Sequence, residues 1–181
     1  MLTVYDATDG ALVPASDPQA NSNGSVWIDL LNPTKEEDLQ VEKALGIAIP
    51  TREEMAEIEA SSRLYQEGGG HYMTAVVLFQ PDAPTEPLIT TPVTFILAGS
   101  RLVTVRYAEP RGIAIFLSRV QKGDAPCMSG AAILVGLLEA IIDREADRVE
   151  RTQAEVDTLS QSIFGVKGGD RTRALPFDVS I

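Results

Sequence analysis

Residues 26–65 read VWIDLLNPTKEEDLQVEKALGIAIPTREEMAEIEASSRLY, and the fold is decided there. Val26 to Leu31 is a compact run of β-favouring residues and reads as a strand, which Asn32-Pro33 ends. Thr34-Lys35-Glu36-Glu37 carries the capping-box pattern, a hydroxyl followed three residues later by a glutamate. A helix to Leu45 follows, with Leu39, Val41 and Leu45 as its apolar contacts, and Gly46 closes it. Thr51-Arg52-Glu53-Glu54 repeats the capping box and predicts a second helix to about Ala60.

Outward from this run, Met1 to Tyr5 reads as a short strand, Asp9-Gly10 as a turn, and Pro14 to Gly24 as a loop rich in Ser, Asn, Pro and Asp. Tyr72 to Phe79 is a continuous apolar run, the pattern of a buried strand. Pro81 to Pro87 is a loop. Leu88 to Leu97 and Arg101 to Arg106 form a hairpin around Gly99-Ser100, with Pro92 marking an edge, bulge or break. Pro110 to Lys122 reads as a helix with Ile113, Phe116, Leu117 and Val120 inward. Ser129 to Phe164 then predicts one long helix, roughly 50 Å at 1.5 Å per residue. Ile142, Val149, Val156 and Ile163 recur every seven residues along it, with Leu138, Glu145, Thr152 and Leu159 as an imperfect second row. That repeat asks for a helical partner, above all from Arg148 onward.

The bulk composition narrows the function classes. With 181 residues, 44% of them hydrophobic and 23% charged, the chain has the make-up of a folded domain rather than a disordered one. Its net charge of −11 repels nucleic acid and favours cations. One cysteine, Cys127, and one histidine, His71, allow neither an intrachain disulfide nor a Cys/His zinc site. His71 follows Gly68-Gly69-Gly70, a loop or hairpin tip that lacks the Lys-Ser/Thr of a phosphate loop. No nucleophile–base pairing is legible, so the chain reads as a non-enzyme. There is no signal-peptide pattern. The longest apolar stretch, Ala131 to Ile142, is interrupted by Glu139 and falls short of the roughly 20 residues a spanning helix needs.

The motifs Trp27-Ile28-Asp29-Leu30 and Glu57-Ile58-Glu59-Ala60-Ser61-Ser62-Arg63, the hairpin Pro92 to Arg106 and the helix end Leu159 to Phe164 together resemble the cytoplasmic domain of CorA-type magnesium transporters. The resemblance covers Met1 to about Gly165. It implies an α+β fold, a three-layer α/β/α sandwich with a mixed sheet followed by a long C-terminal helix. Residues 1–126 would form the α/β core, 127–165 the long helix, and 166–181 the truncated start of a further helical segment. The chain has no Gly-Met-Asn signature and no transmembrane helix, so the resemblance implies a regulatory, ion-sensing domain on the cytoplasmic face of the bacterial inner membrane. The parent would be a homopentamer that reaches the membrane through C-terminal helices absent from this chain. The chain alone is expected to be a monomer or weak dimer.

In such transporters magnesium held between neighbouring cytoplasmic domains keeps the channel closed. Hard oxygen ligands suit Mg2+, and the second helix offers Glu53, Glu54 and Glu57. Glu53 and Glu57 stand i,i+4 and Glu54 and Glu57 i,i+3, spacings that share a helix face. Glu54 is also the capping glutamate, and the family's interfacial acid corresponds to Glu57. A solvated acidic face remains the plainer reading of each. The acids of the long helix alternate with Arg144, Arg148 and Arg151, which suits local ion pairing. Two further readings stay open: a relative that carries Zn2+, Co2+ or Ni2+, and a coiled-coil oligomerisation module with no ion role.

Overall fold

The computed structural model describes residues 1–8, 10–15, 25–57, 59–80, 88–122 and 128–164. Residues 1–145 form one compact unit. Its strands are β1 (Leu2–Thr8), β2 (Ala11–Pro14), β3 (Ser25–Leu31), β4 (Leu64–Glu67), β5 (Gly70–Phe79), β6 (Ile89–Ala98) and β7 (Arg101–Arg106). Its helices are α1 (Lys35–Leu45), α2 (Arg52–Met55), α3 (Ala60–Arg63), α4 (Arg111–Gln121) and the first part of α5 (Gly130–Phe164). The strands make a single mixed sheet in the order β2-β1-β3-β7-β6-β5-β4. β3 and β7 pair in parallel, Trp27 against Leu102 through Leu31 against Arg106, while the other pairs are antiparallel.

Period-two alternation sends these strands into two cores. Trp27, Phe95 and Leu102 join Ile113, Phe116 and Val120 of α4 and Ile133, Leu137 and Ile141 of α5 on one face. Ile28, Leu30, Val103 and Val105 join Val41 of α1, Ile47, Ile49 and Met55 on the other. The result is the expected α/β/α sandwich. Trp27 anchors the first core, stacked on Tyr5 at 4.7 Å and edge-on to Phe116 at 6.0 Å. Gly136 lets α5 approach that ring, because a Cβ there would stand 2.5 Å from Phe116.

One polar chain crosses the first core. Trp27 Nε1 donates to Thr104 Oγ1 at 2.9 Å, and Thr104 Oγ1 donates to Asp29 Oδ1 at 2.6 Å. Arg106 closes on Asp29 through Nε at 3.0 Å and Nη2 at 2.7 Å, and its Nη1 donates to Ala108 O at 3.0 Å. Burial alone would lower the Arg106 pKa, but the hydrogen bond and charge of Asp29 outweigh it and hold the guanidinium above its ordinary value.

Both capping boxes form as read, and Gly46 closes α1 at φ 68°. The two-residue turn at Gly99-Ser100 pairs Ala98 with Arg101. Pro92 lies one position past Val93, the last β6 residue paired to β7, so it occupies an edge within an otherwise central strand. Three expectations change. Leu39 is 53% exposed, because it stands roughly 200° round α1 from the buried Val41. The Tyr72–Phe79 run is not buried throughout: β4 pairs only with Gly70–Met73, and Val76 is exposed. The second helix stops at Met55 rather than near Ala60, because Ala56 N–H and Glu57 N–H turn to Glu53 O and Glu54 O in a tightened final turn. β2 and β4 are strands that the sequence reading did not separate from loops.

Residues 146–164 belong to a second compact unit and are helical. Val149, Val156 and Ile163, the seven-residue row, are 64%, 57% and 66% exposed. The helix end expected at Gly165 to Asp170 and the segment 166–181 lie outside the described residues, as do the turn residue Asp9, most of the two expected loops, and Cys127.

The Asp29–Arg106 pair generates a stability test. Asp29→Ala leaves a buried, unpaired guanidinium, and we expect a loss of about 3–5 kcal/mol. At this chain length that is a melting shift of about 6–20 °C, read by circular dichroism. A loss within the ~0.5 kcal/mol of an ordinary surface substitution would mean that the pair does not organise the core.

Candidate functional site

The link from α2 to β5 builds an acidic recess. Thr51 caps α2: its N–H and Oγ1 donate to Glu54 Oε2 at 2.8 and 3.0 Å, and Glu54 N–H donates back to Thr51 Oγ1 at 3.3 Å. This box fixes Glu54 through Oε2, and Oε1 takes part in neither bond. Glu57 follows just past the helix, its N–H on Glu54 O at 3.2 Å and its carbonyl accepting from Arg63 Nε at 3.4 Å. After α3 the chain enters β4, and Gly68 and Gly69, at φ 56° and 83°, turn it into β5. The turn pairs Glu67 with Gly70 and Tyr65 with Tyr72.

These constraints gather Glu54, Glu57 and Glu67 around a recess of about 300 Å3 that also includes Ser61, Tyr65 and Thr74. Tyr65 stacks flat on Tyr72, ring centres 4.6 Å apart. Tyr72 is held in turn by Ala48, donating to its carbonyl at 3.0 Å and accepting from its N–H at 3.1 Å. Tyr65 registers the local field. Burial raises its phenol pKa, and Tyr72 and the carboxylates of Glu67, Glu54 and Glu57 raise it further.

Two of the three sequence candidates, Glu54 and Glu57, thus meet in one recess. They do so through the cap and the tightened turn, not through a shared helix face, since Glu57 lies beyond α2. Glu53 does not line the recess. With Asp38 it raises the pKa of Tyr107 after burial has done so, and Arg52, 5.2 Å above that ring, opposes them. Glu67 is the acid the sequence reading missed. The signal was present in Gly68-Gly69-Gly70: read as a two-residue turn, it registers Tyr65 opposite Tyr72 and brings Glu67 alongside.

The donor set is hard oxygen throughout. Among the described residues no three Asp, Glu, His or Cys side chains converge closely enough to enclose a metal ion directly. Carboxylate and hydroxyl oxygens of this kind are the donors that hard divalent cations take. Among the described residues no helix is long and apolar enough to cross a membrane.

A family profile described as "CorA-like Mg2+ transporter protein" matches residues 22–175. The magnesium transport protein CorA of Escherichia coli K12 is 30% identical over 174 residues, covering 94% of this chain and 54% of that protein. The complete structure of the CorA magnesium transporter from Methanocaldococcus jannaschii superposes with a TM-score of 0.69 at 14% identity, over 94% of this chain and 53% of that one. The ZntB cytoplasmic domain from Vibrio parahaemolyticus gives 0.59 at 15% identity, over 88% and 66%. The chain spans about half the length of the curated CorA relative it matches. From its strand–helix motifs, its sandwich and a profile that covers most of its residues, this chain belongs to the CorA-like Mg2+ transporter family, a family of ion transporters and not of enzymes.

Proposed function

We propose that this chain is the ion-sensing, gating domain of a CorA-like magnesium transporter, on the cytoplasmic face of the bacterial inner membrane. Permeation belongs to segments outside it. The observation that carries the reading is the recess of Glu54, Glu57 and Glu67 around Tyr65. Three like charges in one recess repel, and a divalent cation relieves the repulsion. In a homopentamer such a cation also bridges to an acidic face on the neighbouring subunit. Losing it frees the subunits to move and biases a two-state gate. Oxygen-only donors favour Mg2+ over Zn2+, which prefers nitrogen and sulfur.

Affinity for the chain alone should be weak, on the order of millimolar, as expected of a sparse carboxylate site. At ten times the dissociation constant, mass action stabilises the fold by about 1.4 kcal/mol. The melting temperature then rises by about 3–6 °C. Glu57→Gln and Glu67→Gln should each shrink that rise. Glu54→Gln should in addition lower the baseline, since it breaks the cap. Sodium chloride at matched ionic strength is the control, because screening stabilises any acidic chain. An equal rise in matched salt, or no response to Glu57→Gln, contradicts the site.

Tyr65 supplies an optical readout. Its pKa stands above the ordinary tyrosine value partly through Glu57 and Glu67, so removing either charge lowers it, and bound Mg2+ lowers it too. Ultraviolet titration of phenolate should show one tyrosine shifting down in Glu57→Gln, and a Tyr65→Phe background should abolish the shift. An unmoved titration would place Glu57 away from the recess.

The exposed Val149, Val156 and Ile163 row favours weak self-association without the rest of a pentamer. Light scattering at micromolar concentration should give a monomer or weak dimer, and a stable pentamer would contradict this.

A further inference from the structure

β3 and β7 are adjacent and parallel, and the chain leaves their carboxyl ends toward opposite faces of the sheet. After β3 it enters α1, which buries Val41 in one core; after β7 it enters α4, which buries Ile113, Phe116 and Val120 in the other. Such a reversal opens a crevice at the strand ends, where ligands of α/β sheets bind. Here the crevice is a cavity of about 510 Å3, within the range of small-molecule sites. Asn32 forms one side, leaving β3 at φ 44° with its N–H on Arg106 O at 2.9 Å. Arg111 and Gln80 add polar groups, Phe79 and Leu117 an apolar wall, and Glu109 the opposing charge.

The charges here run against the chain's net −11. Arg111 and Arg144 make no ion pair among the described residues. Among the described residues Arg144 Nε is buried without a hydrogen-bond partner. Both arginines and Ser118 line a second recess, of about 470 Å3, that shares Arg111 and Ala114 with the crevice. Pro110, just before α4, offers no capping side chain, so the first N–H groups of the helix, at Arg111 and Gly112, add to the positive field.

We infer that this crevice binds a phosphate ester of mononucleotide size. Arg111 and Arg144 take the phosphate, since a guanidinium fork matches phosphate geometry. The ring lies against Phe79 and Leu117, and the amides of Asn32 and Gln80 meet its polar edge. The site is separate from the acidic recess and independent of the magnesium reading.

The test is equilibrium dialysis of the chain with adenosine 5′-monophosphate, adenosine and inorganic phosphate, in EDTA and at fixed ionic strength. The monophosphate should bind saturably and at least about tenfold tighter than either part alone, the ratio of one well-formed charged contact. Arg111→Glu and Arg144→Gln should each weaken it about tenfold or more with the melting temperature held. Lys122→Glu, the same charge change as Arg111→Glu at the far end of α4, should leave it unchanged. Phosphatidylglycerol vesicles form the second arm and should not sediment the chain. Absent saturation, equal affinity for inorganic phosphate, equal loss in Lys122→Glu, or vesicle binding without nucleotide binding would each overturn the inference.

Discussion

Asp29 and Arg106 share a bidentate ion pair, 2.7 Å at its shortest, with side chains 3% and 8% exposed. Two charges this deep are costly to desolvate and are tolerated only with good geometry and full hydrogen bonding. Asp29 meets that condition by accepting from Thr104 and from two nitrogens of Arg106, and Thr104 in turn accepts from Trp27. The network spans the one parallel strand pair and fixes its register. A one-residue slip of β3 against β7 would carry Asp29 to the opposite face and strand both charges. From that register follow the helix directions after Leu31 and Arg106, the two cores, and the crevice at the strand ends.

Much of this was legible in the sequence because the controlling signals are local. Thr34 with Glu37 and Thr51 with Glu54 declare their caps within four residues, Gly99-Ser100 declares its hairpin, and α5 declares itself through its apolar spacing. The motif strings VWIDL and RLVTVR turn out to hold the polar network. Trp27, Asp29, Thr104 and Arg106 occupy the same face of neighbouring strands. The parts that were not legible depend on tertiary pairing. The end of α2 is set by a tightened turn that propensity does not foretell. β4 is four residues long and gains its hydrogen bonds only from β5. Glu67 joins Glu54 and Glu57 only once that pairing exists, whereas the i,i+4 logic that grouped Glu53 with Glu57 assumed a helix longer than the one that forms.

The acidic recess and the arginine-lined crevice divide the domain's electrostatics. A chain at −11 should gather cations diffusely over its surface. What sets the recess apart is scaffolding. The cap on Thr51 fixes the Glu54 carboxylate, and the Gly68-Gly69 turn and the Tyr65–Tyr72 stack set where the backbone places Glu67 beside it. The crevice instead sets Arg111 beside Glu109 at the start of α4, with Arg144 in the adjoining recess.

Manganese(II), a paramagnetic stand-in for magnesium with the same preference for oxygen, locates the cation most directly. In an assigned amide spectrum of the chain, substoichiometric Mn2+ should broaden Glu57, Tyr65 and Glu67 first, leave Asp6 near the opposite edge of the sheet sharp at the same dose, and release its hold as Mg2+ is added. Broadening centred on Glu53, or spread evenly over the acidic surface and insensitive to Mg2+, would contradict a cation site in the recess.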